Sequence, residues 1–163
     1  MGVKTTKDDK LERDLRDAAG KGDFSTLTQL VEQGVNIQSA DPQNGKTALM
    51  VAAKEGEVHC LDHLTTQGAD VNAQNKDGNT ALMYAAQGGH LDCVDHLIGK
   101  GADLDIQKYA VPVLANVNAI EWLGYTALML AARGGRLECL DHLIAEGASL
   151  NAQDKVRRPS AAT

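Results

Sequence analysis

One pattern occurs three times in this chain, and it leaves little freedom for the fold. The copies open Asn44-Gly45-Lys46-Thr47-Ala48-Leu49-Met50, Asp77-Gly78-Asn79-Thr80-Ala81-Leu82-Met83 and Leu123-Gly124-Tyr125-Thr126-Ala127-Leu128-Met129. Each runs on to an Ala-Ala pair (Ala52-Ala53, Ala85-Ala86, Ala131-Ala132) and then to a glycine, Gly56, Gly89 or Gly135. Each continues into Cys-x-Asp-His-Leu, from Cys60, Cys93 and Cys139, and closes on Gly68-Ala69, Gly101-Ala102 or Gly147-Ala148. Gly45 and Gly78 lie 33 residues apart, whereas Gly78 and Gly124 lie 46 apart, so the last copy carries 13 extra residues. A weaker copy comes first: Ala18-Ala19, Gly22, Leu27, Leu30 and Gly34 each precede their counterparts by 34 residues. A fixed period of this size means units that cannot bury an apolar face alone and must stack on their neighbours.

Each unit reads as two short antiparallel helices. Thr47, Thr80 and Thr126 are placed as N-caps, their hydroxyls accepting from an orphan amide. Leu82, Ala85 and Ala86 recur at helical spacing and form a buried stripe, as do Leu91, Val94, Leu97 and Ile98 in the second helix. Gly56, Gly89 and Gly135 break the chain between the helices. Gly68, Gly101 and Gly147 end the second helices, where a positive φ is wanted. Asn75-Lys76-Asp77-Gly78 supplies the chemistry of a β-turn.

A 33-residue unit of one turn and two helices, with Gly68-Ala69-Asp70-Val71-Asn72-Ala73 at its end, resembles the ankyrin repeat. The resemblance covers residues 11 to about 154. It implies an all-α solenoid of four helix-turn-helix units, about 11–40, 41–74, 75–107 and 108–154, with an extended third inter-repeat turn. Residues 1–10 and 155–163 are expected to be tails. The family's Pro and His are Ala48 and Met50 here, with equivalents in the other copies. That substitution removes a side chain that ties neighbouring turns together in the family. The charged run from Leu11 to Asp17 fits a polar N-terminal cap, but no polar cap closes the other end. The last face is expected to meet further repeats, to be covered in some other way, or to tolerate exposure.

Composition narrows the function. A formal net charge of −6 repels phosphate backbones, so nucleic acid is not an expected partner. Lys155, Arg157 and Arg158 read as a short solvated run. No apolar run is long enough for a membrane span, and the charged N-terminus is unlike a signal peptide. An odd cysteine count without a secretory signal suggests a reducing, intracellular location, cytoplasmic or nuclear.

Two letter patterns invite chemistry, and neither is expected to perform it. Cys60/His63, Cys93/His96 and Cys139/His142 share helix faces at i and i+3, as zinc ligands would. However, stacked helices lie about 8–10 Å apart, too far for one tetrahedral site with bonds of about 2 Å or for disulfides. The cysteines therefore read as small core residues, reduced and inert. Asp62-His63, Asp95-His96 and Asp141-His142 are adjacent on a helix, so each pair points to different faces and makes no dyad. Gly88-Gly89 and Gly134-Gly135 lack a following phosphate-binding Lys-Ser/Thr and read as interhelix turns. No catalytic set, cofactor or metal is expected.

The remaining anomaly is the insertion Tyr109–Glu121, followed by Trp122. It is unusually apolar for a disordered loop. A hairpin through Asn116-Val117-Asn118, or a short helix capped by Asn118 with Glu121, would each suit it. It either folds back on the solenoid or projects with Trp122 as an anchor, ringed by Tyr109, Ile120 and Tyr125.

The resemblance implies a protein-binding module, an adaptor or inhibitor, that uses a concave face of turns and first helices. The matching surface positions are Asn44, Lys46, Lys54 and Glu55, then Lys76, Asp77, Asn79 and Gln87, then Tyr125 and Arg133. The alternatives are a regulatory or targeting segment of a larger enzyme or channel, or an engineered binder. The irregular first unit speaks against the engineered binder. A monomer is expected, with the uncapped end as a route to self-association. The resemblance also implies that Asn72 and Asn151, each with a leucine eight residues earlier (Leu64, Leu143), are candidates for asparaginyl hydroxylation.

Overall fold

The computed structural model describes residues 6–107 and 125–150. Among them are eight helices and no strand: α1 (Thr6–Lys21), α2 (Phe24–Glu32), α3 (Ala48–Glu55), α4 (Val58–Thr66), α5 (Ala81–Gly88), α6 (Leu91–Gly99), α7 (Ala127–Arg133) and α8 (Leu137–Ala145). Consecutive pairs pack as hairpins. The odd-numbered helices stack into one row and the even-numbered helices into a second, so the chain is an all-α solenoid.

The repeated threonines start the first helices. The hydroxyls of Thr47, Thr80 and Thr126 accept from the amides of Met50, Met83 and Met129 at 3.3, 3.3 and 3.4 Å. Here Met occupies the family's histidine position and is buried in α3 and α5. The core between the rows is aliphatic. Ala52, Ala53, Ala85 and Ala86 have no exposed surface, and Leu61, Leu64, Val94, Leu97 and Leu143 fill the space these alanines leave. Small residues on the first helices let the rows approach, while leucines on the second supply most of the apolar area.

Turns are joined by a ladder of side chains at one register. The amide of Gln38 donates to the Gly68 carbonyl (2.7 Å) and its oxygen accepts from the Asp70 amide (3.1 Å). Asn72 does the same to Gly101 (3.3 Å) and Asp103 (2.8 Å), and Asp105 accepts from Ser149 (2.9 Å). On the hairpin side, the Lys76 amide donates to the Asn44 carbonyl at 3.1 Å. The close approach leaves no room for a side chain at Gly45: its φ is +76°, and a Cβ there would lie 2.8 Å from the Lys76 amide nitrogen. These bonds hold neighbouring turns without the family histidine.

One expectation needs correcting: helix α1 begins at Thr6, so residues 6–10 are helical, not tail. The charged first helix also turns two of its polar residues inward. Glu12 and Arg16 are buried, the Ser39 hydroxyl donates to Glu12 Oε2 at 2.6 Å, and Arg16 Nη1 donates to Ser39 Oγ at 3.1 Å. Arg16 Nη2 also lies 3.9 Å from Asp41 Oδ2.

The Asp-His dipeptides are unpaired within a helix, as adjacency dictates, but they pair between helices. His142 Nε2 lies 2.8 Å from Asp95 Oδ1 of the preceding unit. His96 Nε2 lies 3.5 Å from Asp62 Oδ1 and 2.9 Å from Thr65 Oγ1. The Thr65 hydroxyl donates to the Asp62 carbonyl, so it accepts from the ring. The first joint lacks this link. Thr28 stands where Asp62 and Asp95 stand, and the buried His63 Nε2 has no hydrogen-bond partner. The ring packs edge-on to Phe24 instead, with centroids 5.6 Å apart. Thr28→Asp is therefore expected to add about 1 kcal/mol, the net worth of a satisfied buried donor. Thermal melts would show a rise of roughly 2–4 °C, absent in a His63→Ala background.

Candidate protein-binding surface

The hairpin turns and the outward sides of α3, α5 and α7 form a continuous face. At its centre is Tyr84, a half-buried side chain on α5 whose hydroxyl accepts from Asn75 Nδ2 at 3.1 Å. Asn75 is itself buried, with its oxygen accepting from the Asp77 and Asn79 amides at 3.0 and 2.8 Å. The tyrosine is thus clamped to its own turn. Burial pushes its phenol up, with the charge of Asp77 adding to the effect. The ring stays a neutral, rigid aromatic.

Lys46, from the preceding unit, places its Nζ 5.1 Å from the Tyr84 ring centroid, a cation–π distance. Lys54 pairs with its neighbour Glu55. That bond, followed by the charge of Lys54, holds the Glu55 carboxyl below the usual range, and the charges of His90 and Lys46 act the same way. Lys76 Nζ reaches back to the Pro42 carbonyl at 2.6 Å. The Asn44 side chain accepts from the Lys46 amide at 2.8 Å, so it shapes the turn tip while remaining exposed. Asp77 and Gln87 are exposed and Asn79 is partly buried.

On the last unit Tyr125 is half-buried, with the Arg133 guanidinium 5.8 Å from its centroid. The structure therefore gathers Lys46 and Asn79 with Tyr84, and makes a second aromatic–cation pair from Tyr125 and Arg133. Tyr109, Ile120, Trp122 and Asn151 lie outside the described residues. Asn72, the other hydroxylation candidate, has both ends of its amide bonded to the next unit.

Tyr84 was absent from the sequence-derived set. Its signal was present: Val51 and Leu130 occupy the same slot in the other copies, where they are partly buried and buried, and an aromatic there is the exception.

The thiols of Cys60, Cys93 and Cys139 are buried. Loss of solvation pushes all three up, Cys93 to about 11. Among the described residues no group of three or more His, Cys, Asp or Glu is placed to hold a metal ion, and no helix is long and apolar enough to cross a membrane. Because the thiolate is the reactive form, labelling by a disulfide reagent at pH 8 is expected to be slow in the native protein and complete within seconds after denaturation. Fast native labelling of all three cysteines would contradict the packing.

Helix hairpins stacked in register, with their turns and first helices presented on one face, define a repeat protein built for contact. The match with known families makes this specific. Residues 15–108 match the family described as ankyrin repeats (3 copies), and residues 123–155 match a further ankyrin repeat. The chain belongs to the ankyrin-repeat family. It is 42% identical over 60 residues to ankyrin repeat domain-containing protein 29 of Danio rerio, covering 36% of this chain and 20% of that protein. To the Homo sapiens protein of the same name it is 41% identical over 58 residues, covering 35% and 19%. To ankyrin repeat domain-containing protein 40 of Mus musculus it is 39% identical over 56 residues, covering 34% and 15%. The chain thus spans about a fifth or less of the relatives it matches. Ankyrin repeats are in general protein–protein interaction modules.

Proposed function

We propose that this chain is a non-catalytic adaptor or inhibitor whose partner protein lies across the turns and first helices, centred on Tyr84. The carrying observation is the clamped tyrosine under Lys46. A large aromatic held in one rotamer buries area at little entropic cost, and such residues dominate binding hot spots. Lys54, Glu55, Lys76, Asp77 and Gln87 form the polar rim, and Tyr125 with Arg133 extends the contact to the last unit. The insertion 109–121 is proposed as a second contact, with Trp122 as its anchor between Tyr109 and Ile120. The bonding of the cysteines as free thiols suits an intracellular setting.

The test is quantitative capture from cell extract followed by titration with the recovered partner. Tyr84→Ala and Lys46→Glu are expected to weaken binding at least tenfold, corrected for the folded fraction by circular dichroism. Glu32→Ala, on the other row, should leave it unchanged. Trp122→Ala should weaken affinity while leaving the melting temperature within a degree or two. A partner that tolerates both face variants and is lost with Glu32→Ala would move the binding surface to the second-helix row.

A further inference from the structure

The two rows of the solenoid differ in charge. Helices α2, α4, α6 and α8 contain no lysine or arginine, and they carry the exposed carboxylates of Glu32, Asp62, Asp92, Asp95, Glu138 and Asp141. The face of turns and first helices carries Lys46, Lys54, Lys76 and Arg133 instead. A chain with a net charge of −6 thus keeps one acidic side and gathers cations on another.

Those cations are not equally engaged. Lys54 is paired with Glu55, and Lys76 Nζ is bonded to the Pro42 carbonyl. Lys46 and Arg133 meet the rings of Tyr84 and Tyr125 instead, at 5.1 and 5.8 Å from the centroids. An aromatic face attracts a cation without carrying a net charge, so it orients the cation and does not neutralise it. Each pair is then an aromatic surface topped by a positive charge. Between them the corresponding positions of the third unit are amides, Asn79 and Gln87. Asp77 is the exposed acid of that unit, close enough for its charge to act on the Tyr84 hydroxyl.

We infer that the partner reaches this face with an extended acidic segment, one carboxylate on Lys46 and a second on Arg133. The inference rests on the turn face being the binding surface and adds the chemistry of what it binds. Lys46 belongs to the second unit and Arg133 to the fourth, so two helix-to-helix steps of about 8–10 Å separate their backbones. Lys46 leans one unit forward, over Tyr84, which shortens the gap toward a single step. At about 3.3 Å per residue of extended chain, the two carboxylates stand roughly three to six residues apart. The acidic second-helix row repels the same segment, so complementarity of charge selects the face as well as the partner.

The experiment pans a displayed library of random peptides, each about twice that span in length, on the full chain. The selected sequences should be enriched in pairs of Asp or Glu three to six residues apart. By fluorescence anisotropy, Lys46→Glu and Arg133→Glu should each weaken a selected peptide at least tenfold, with folding checked by circular dichroism. Replacing the matching carboxylate of the peptide by lysine should restore binding to the Lys46→Glu protein. Asp77→Asn, which removes the opposing charge, should tighten binding about two- to threefold. Selected peptides that lack an acidic pair yet are lost with Tyr84→Ala overturn the carboxylate inference and leave the turn face as the binding surface. Peptides that bind Tyr84→Ala and Lys46→Glu unchanged overturn both. A library that yields no enriched sequence also counts against the acidic segment.

Discussion

Leu97→Ala is expected to destabilise the protein by about 3 kcal/mol, the middle of the range for emptying a closed aliphatic slot. The side chain has no exposed surface, and α6 packs on both α5 and α4. The neighbouring helix α5 carries the fully buried Ala85 and Ala86, side chains too small to fill a gap. In a linear array stability is shared between adjacent joints, so a cavity in the third unit weakens the contacts on both sides of it. Thermal unfolding should shift down by roughly 6–12 °C at this chain length. Leu97→Met keeps the volume and should cost less than about 1.5 kcal/mol. Leu30→Ala, nearer the end of the array, should cost less than Leu97→Ala. Equal losses at the two leucines would mean that the array does not melt from its ends.

The other large effect is expected at Arg16. Removing one member of a buried charged network strands the rest, at a cost of about 3 kcal/mol. Arg16→Ala withdraws the donor to Ser39, the hydroxyl that itself donates to the buried Glu12 carboxylate, and removes the guanidinium 3.9 Å from Asp41. Replacing the pair together by Glu12→Leu and Arg16→Met should recover much of that loss, because it removes both desolvated charges. Chemical denaturation of the two single variants and the pair completes the cycle. Simple additivity would show that the charges act independently and that the burial of Glu12 and Arg16 carries no coupling.

The contrast between these two sites explains what could be read in advance. Leu97 was legible because apolar spacing, capping threonines and terminal glycines all act within one unit, and the unit recurs. Arg16 was not, because a charge on a helix reads as solvated unless its partner, here Ser39 and Glu12, is already known to lie beside it. The Asp–His contacts fall between these cases. The residues were visible as dipeptides, but the pairing joins positions 47 and 34 residues apart, as in Asp95–His142 and Asp62–His96, so it appears only once units are laid against one another. On the binding face, Lys46 and Arg133 were named from the family pattern. Tyr84 was missed because its slot belongs to the helix rather than to the variable turn. Its importance comes from the Asn75 bond and the overlying lysine, neither of which a one-dimensional pattern contains.

The way the joints are fastened has a mechanical consequence. The second and third joints have bonds from their loop amide or carboxylate and a second fastening through histidine, while the first has Gln38 but leaves His63 unsatisfied. Under tension applied along the stack, the even-numbered helices of the later joints would share the load through a histidine bond, which the first joint replaces with only a ring contact. The even-helix edge between the first and second units is then the place where the spring yields, opening α2 away from α4 while Arg16 still grips the turn beside it.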